Sequence, residues 1–241
     1  MASPYATSRR SYGRCKGAAL GESAGSRTVL RWGISSTARV NRHFLPAAAG
    51  LPEVEVAAVA SRSLARAQAF AGTHGIPRAH GSYQQLVVDP DIDAIYVSAP
   101  NLLHEEWTEL AVDAGKHVLC EKPLSTSPTW VERIFRRAAE RGVVVTEAFM
   151  YRYNPRTETI CNLIGAGAIG SPQLARFCFR FPWDGSANAR YASDLHGGAL
   201  LDVGCYGVNF RWLLLGEPSL RRVGGRRRGS RFLLPGPFAG T

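Results

Sequence analysis

The chain has 241 residues, 45% of them hydrophobic and 20% charged, with a formal net charge of +10. That is room for one large or two modest cores, and no apolar run reaches the roughly eighteen residues that would span a bilayer. The charge sits at the ends: residues 1–28 carry +4, residues 220–241 carry +6, and 29–219 are neutral with eighteen charges of each sign. No basic stripe interleaved with aromatics marks the neutral part, which argues against a nucleic-acid partner.

The first segment, 1–28, is rich in Ser, Ala, Gly and Arg, lacks periodicity and reads as disordered. It has no apolar signal region and only a faint likeness to an organelle transit peptide. Five cysteines, at 15, 120, 161, 178 and 205, are an odd number without C-x-x-C spacing. They read as free thiols of a reducing compartment, the cytoplasm, and no histidine pairing suggests a metal.

Strand and helix signals then alternate. An apolar strand over Val29–Ile34 leads through Ser35-Ser36-Thr37-Ala38 to a helix ending near Ala49. Val54–Ala60 is a second strand, followed by Ser61-Arg62 and a helix over Leu64–Ala71. Asp93–Ala99 is a third, closed by Pro100-Asn101. A helix over His104–Ala114 leads to the strand His117–Cys120, a helix near Pro128–Arg141 and a strand over Val143–Thr146. This alternation predicts an α/β fold: a doubly wound parallel sheet of Rossmann type over 29–150. Leu174–Phe181 alternates like a half-buried strand and Ala199–Leu215 reads as a long apolar helix, so 151–218 is expected to be an incomplete α+β domain.

Three clusters carry chemistry. The turn Gly33-Ile-Ser-Ser-Thr-Ala38 is an imperfect G-x-G-x-x-G, with Ser35 at the second glycine and Ala38 at the last. Ser61-Arg62, with Arg66 one turn on, stands where an acid would hold the ribose 2′-hydroxyl of NAD. A hydroxyl and guanidiniums there suit a 2′-phosphate, so NADP is favoured over NAD. Glu121-Lys122-Pro123 places a lysine at the end of a strand, where open α/β sheets bind ligands. Asp202 and Tyr206, spaced i, i+4, share a helix face. Lysine, carboxylate and phenol together make a proton-transfer and orientation set for oxidising an alcohol.

These stretches, with Gly75-Ile-Pro-Arg-Ala79, Pro100-Asn-Leu-Leu-His104, Ala114–Leu124, Glu147-Ala-Phe-Met-Tyr-Arg152 and Gly197–Asn209, resemble the Gfo/Idh/MocA oxidoreductases, from about Val29 to Pro218. Within that family they are similar to the branches acting with NADP on aldoses such as D-xylose and on dihydrodiols. The resemblance implies Lys122 as the catalytic lysine, Tyr206 as its proton-transfer partner and Asp202 as the acid one turn before it. It implies Glu121 at the nicotinamide ribose, and Pro100, Asn101, His104 and Arg152 along the cofactor. The turn residues Gly33, Ser35, Ser36, Thr37 and Ala38, with Ser61, Arg62 and Arg66, complete the cofactor set, and Asn188 and Arg190 join Asp202 as substrate residues.

The stretch from Ser219 to Thr241 is Arg/Gly/Pro-rich and aperiodic, where family members continue into strands that close an open sheet and form a homodimer face. It is expected to be a non-native, basic tail. Three readings stay open: an active NADP-dependent sugar or diol dehydrogenase, a truncated nucleotide-binding protein with little or no activity, and a polyanion binder. The neutral core speaks against the third.

Overall fold

The computed structural model describes residues 29–170, 172, 174–179 and 195–215. Six strands, β1 (Leu30–Ile34), β2 (Val54–Ala60), β3 (Arg78–His80), β4 (Ala94–Val97), β5 (His117–Cys120) and β6 (Val145–Glu147), form one sheet in the order β3-β2-β1-β4-β5-β6. Every pairing is parallel. The helices are α1 (Asn41–Ala49), α2 (Leu64–His74), α3 (Tyr83–Val87), α4 (His104–Asp113), α5 (Pro128–Arg141), α6 (Pro155–Gly165) and α7 (Cys205–Leu215).

Parallel strands need helices on both faces, so their residues are apolar on both sides. β4 shows this: Ala94, Ile95, Tyr96 and Val97 are all buried. Ile95 and Val97 join a core with Val118, Trp107, Ala111, Trp130 and Ile134, while Tyr96 faces the opposite core with Ile34, Val59 and Ile76. The two-residue alternation of a strand thereby divides one run between two layers.

Helix ends follow from local chemistry. The Ser63 and Ser127 hydroxyls accept the first-turn N–H groups of Arg66 and Trp130. Gly75 and Gly142 end α2 and α5 at φ of 67° and 68°, a conformation that costs most other residues energy.

The sheet ends have different character. At the end where the strands begin, Arg31 Nη1 meets Asp91 at 2.6 Å, and Arg78 meets Asp89 at 3.1 Å and Asp91 at 3.2 Å. Lys116 Nζ donates to the Asp89 and Ile92 carbonyls. At the other end lie the β1–α1, β2–α2 and β4–α4 connections and the turns after β5 and β6. The order reverses between β1 and β4, which opens a crevice there.

The doubly wound parallel sheet matches the sequence expectation, but its edge strand β3 was not foreseen and other details differ. The last strand lies at Val145–Glu147, slightly later than expected. Residues 174–179 form no strand: Leu174, Phe177 and Phe179 are exposed, and no strand among the described residues lies alongside to pair with their backbone groups. Positions 180 and 181 of that expected strand lie outside the described residues. The helix expected over Ala199–Leu215 opens with a wide π turn, Leu200–Gly204, before α7. Among the described thiols only Cys120 is buried, and Cys178 is exposed. No helix of the described residues is long and apolar enough to cross a membrane.

Candidate functional site

At the crevice, the β1–α1 turn is tied down by its own small side chains. Ser36 Oγ donates to the Ser98 carbonyl at 2.9 Å and also accepts the Ala38 N–H. Ser35 Oγ accepts the Ser98 N–H at 3.2 Å, and Asn41 Nδ2 donates to the Ser36 carbonyl at 2.6 Å. Ser35 and Ser36 are buried, so their hydroxyls fasten β1 to β4 and shape the turn from within. Gly33 lies inside β1, where a Cβ would fall 2.8 Å from Leu86 Cδ1 and 3.2 Å from Ile95 Cδ1. Its smallness admits α3 against the sheet.

Past β2, Ser61 is buried while Arg62 and Arg66 are exposed. Neither guanidinium forms an ion pair among the described residues. Two cations and a hydroxyl at a strand end, with no acid between them, suit a dianion.

The β4–α4 connection departs from expectation in its contacts. Asn101 Nδ2 donates to the His196 carbonyl at 2.8 Å, drawing the segment before the π turn against the sheet. His196 there takes φ of 55°, uncommon for a residue with a Cβ. His104, 1% exposed, meets two carbonyls: Pro123 O through Nδ1 at 2.7 Å and Ala99 O through Nε2 at 2.9 Å. Its ring is spent on the protein's own backbone. Glu121 Oε1 accepts the Tyr96 hydroxyl at 2.6 Å; burial first, and this carboxylate second, push the Tyr96 phenol far above its usual range.

Lys122, Asp202 and Tyr206 converge. The Lys122 ammonium donates to the Asp202 main-chain oxygen at 2.5 Å and to its Oδ1 at 3.1 Å, with both side chains nearly enclosed. The same ammonium lies 5.1 Å from the Tyr206 ring centroid, within cation–π range. The π turn brings Asp202 to the lysine, and α7 carries Tyr206 just beyond it; such turns recur at functional sites. Phe149, Tyr151 and Phe179 surround the Tyr206 ring at 5.4, 5.9 and 6.3 Å.

A cavity of about 130 Å³, lined by Asn101, Glu105, Pro123, Ser125, His196 and Leu201, adjoins this trio through Pro123 and Leu201. Arg152 stands in the 3₁₀ turn Met150–Tyr153 after β6, exposed. Pro100 precedes a 3₁₀ turn over Asn101–Leu103, and Thr37 lies in the β1–α1 turn. Asn188 and Arg190 lie outside the described residues.

Two residues of this end were missed by sequence reasoning. Glu147 closes β6, its Oε1 accepts the Leu124 N–H at 2.8 Å, and burial raises its carboxyl above the ordinary range. Tyr151 donates to Asn209 Oδ1 at 2.5 Å, and burial pushes its phenol up to about 12. An acid at the carboxyl end of a strand was the available signal for Glu147.

Two family models match the chain. One, described as an oxidoreductase family with an NAD-binding Rossmann fold, matches residues 30–149; the other, a GFO/IDH/MocA C-terminal domain, matches 157–230. A D-xylose 1-dehydrogenase (NADP(+)) of Haloferax volcanii is 44% identical over 191 residues, covering 78% of this chain and 58% of the relative. A trans-1,2-dihydrobenzene-1,2-diol dehydrogenase of Xenopus laevis is 42% identical over 184 residues, covering 76% and 56%. The structure of a 3-ketoreductase from Actinomadura kijaniata, in complex with NADP and TDP-benzene, superposes with a TM-score of 0.67 at 36% identity, covering 78% of this chain and 58% of that one. The chain thus spans somewhat under three fifths of these relatives' length.

Proposed function

Because the chain belongs to the Gfo/Idh/MocA oxidoreductase family, we propose that it binds NADP along the carboxyl edge of its sheet and oxidises a hydroxyl-bearing carbon of a sugar such as D-xylose, or of a cyclic diol. The observation that carries this reading is the Lys122 ammonium seated between the Asp202 oxygens and the Tyr206 ring.

The residues present fit the cofactor. Exposed Arg62 and Arg66 beside Ser61 offer donors for a 2′-phosphate. The small-residue turn from Ser35 to Ala38, running into α1, offers close backbone approach for a pyrophosphate. Pro100 and Asn101 after β4 and Glu121 at the end of β5 are the candidate cofactor residues between that turn and Lys122 in the strand order, with Arg152 beyond them after β6. When bound, the nicotinamide supplies the hydride chemistry.

The chain's own groups handle the proton. Removing hydride from a carbinol carbon requires the hydroxyl proton to leave, so a base must come within hydrogen-bond reach. A free phenol, with an ordinary value of about 10, is a sluggish base at neutral pH. The Lys122 ammonium, which lies over the Tyr206 ring, donates to the substrate oxygen, and the Tyr206 hydroxyl is the candidate group to take the proton. Asp202 holds that ammonium in place and orients neighbouring hydroxyls, with Asn188 and Arg190 as further substrate contacts. Asn101, Glu105 and Ser125 in the adjoining cavity offer matching polar groups. Free thiols among the described residues suit a reducing compartment such as the cytoplasm.

The test is turnover by the purified chain with NADP and a panel of aldoses and trans-dihydrodiols. Lys122→Met and Tyr206→Phe should each lower kcat by about 10²–10⁴-fold while NADPH still quenches tryptophan fluorescence. Quenching without turnover on every substrate would leave a nucleotide-binding protein and overturn the catalytic reading.

A further inference from the structure

An ammonium that must meet a reacting hydroxyl has to be held to within about half an ångström. Lys122 stands where the sheet can no longer hold it. The Glu121 N–H still reaches the Val97 carbonyl at 2.9 Å, and the Ala148 N–H the Cys120 carbonyl at 2.8 Å. Beyond that point Pro123 has no N–H to give, and neither the Pro123 carbonyl nor the Leu124 N–H faces a strand.

Two side chains take those groups. Glu147, from the end of β6, accepts the Leu124 N–H at 2.8 Å. His104, from the start of α4, faces the Pro123 carbonyl at 2.7 Å, its other nitrogen against Ala99 O. Lys122 lies between the strand that precedes α4 and the strand that ends in Glu147, so the two contacts grip its turn from opposite sides.

We propose that Glu147 and His104 are positioning residues that clamp the Lys122–Pro123–Leu124 turn and thereby fix where the lysine ammonium stands, a role that rests on the reading of Lys122 given above. Burial disfavours the charged form of Glu147, and the Leu124 N–H and the Arg152 charge oppose that effect without cancelling it. The role needs an acceptor oxygen, which an uncharged amide also supplies. His104 needs a donor on the Nδ1 side; the amide nitrogen of asparagine reaches that place, while that of glutamine reaches the Nε2 side.

The experiment compares Glu147→Leu with Glu147→Gln and His104→Gln with His104→Asn in the full chain. Glu147→Leu and His104→Gln should lower kcat by about 10²-fold, the usual cost of a misplacement near 1 Å, with KM and NADPH binding within about twofold of the parent. Glu147→Gln and His104→Asn should recover most of that loss. A second readout does not depend on activity. The chain has three lysines, Lys16, Lys116 and Lys122, so ¹³C-dimethylation yields few resonances, and Lys122→Met identifies the one from Lys122. That resonance should shift in Glu147→Leu and His104→Gln and return in the amide partners. An unmoved resonance in Glu147→Leu, or a Glu147→Gln as impaired as Glu147→Leu, would overturn the clamp. If the parent turned over no sugar or diol, the dehydrogenase reading would fall while the resonance still decided the clamp.

Discussion

Lys122 and Asp202, 80 positions apart, meet through two oxygens of the same residue: the lysine ammonium touches the main-chain carbonyl at 2.5 Å and the carboxylate at 3.1 Å. One contact survives loss of the side chain and the other does not. Asp202→Ala should therefore destabilise the protein by about 1–3 kcal/mol, below the cost of a wholly orphaned buried charge, because the carbonyl still accepts. Lys122→Met/Asp202→Ala should cost less than the sum of the single changes. Urea unfolding of the four proteins measures the coupling, and strict additivity would show that the pair contributes nothing.

The β2 end makes a prediction about the cofactor. Arg62 is exposed beside Ser61, with no ion-pair partner among the described residues. Arg62→Ala should weaken NADPH binding by about 1.5–3 kcal/mol, the range of a charged hydrogen bond, and leave NADH nearly unchanged. Fluorescence titration with both cofactors separates a 2′-phosphate contact from a general effect on the domain, which would weaken both equally.

Gly33 tests whether its smallness serves packing. A Cβ there would come 2.8 Å from Leu86 Cδ1, so Gly33→Ala should cost about 1–3 kcal/mol by overpacking. Leu86→Val, which withdraws part of the obstructing side chain, should recover part of that loss in the double variant. NADPH affinity per folded molecule should stay at the parent level. A large fall in affinity with unchanged stability would instead assign Gly33 to the nucleotide.

Glu147 makes a prediction about pH. Burial raises its carboxyl above the ordinary value of 4.5, so the folded protein keeps this proton to higher pH than the unfolded chain does. Its contribution to stability is therefore fully present below pH 4.5 and is lost as pH rises through the folded value. Glu147→Gln lacks that loss. The variant should gain on the parent as pH is raised from about 4 through the folded value of this carboxyl. Thermal melts across that range check the sign, and an advantage greatest at low pH would contradict it.

The sheet and the lysine turn were legible because each rests on local pattern. β2 and β5 match their expected bounds since an unbroken apolar run between turn signals leaves little choice, and α5 is fixed by Ser127-Pro128 at one end and Gly142 at the other. β3 and α3, three and five residues long, were too short to show a period and went unread. The meeting of Lys122, Asp202 and Tyr206 was anticipated from their chemistry and from a resemblance, but its form was not. That Asp202 uses its backbone oxygen, from a π turn, depends on long-range packing that no spacing rule encodes. His104 shows the same limit: its motif suggested a neighbour of the cofactor, and its two ring nitrogens face carbonyls of the chain itself.

The separation between the two ends of the sheet has an evolutionary side. The lattice of Arg31, Arg78, Asp89, Asp91 and Lys116 seals the edge where strands begin, and the groups read here as chemical stand where strands finish. Ion pairs that reach solvent, such as those of Asp91 with Arg31 and Arg78, weaken as ionic strength rises, with a screening length of about 8 Å at physiological salt, whereas enclosed contacts such as Lys122 with Asp202 are screened much less. Adaptation to a saltier or warmer habitat can thus proceed by exchanging charges at one rim, while selection for a new substrate acts on the other. Neither change need be repaired by the other, which leaves a lineage free to explore both at once.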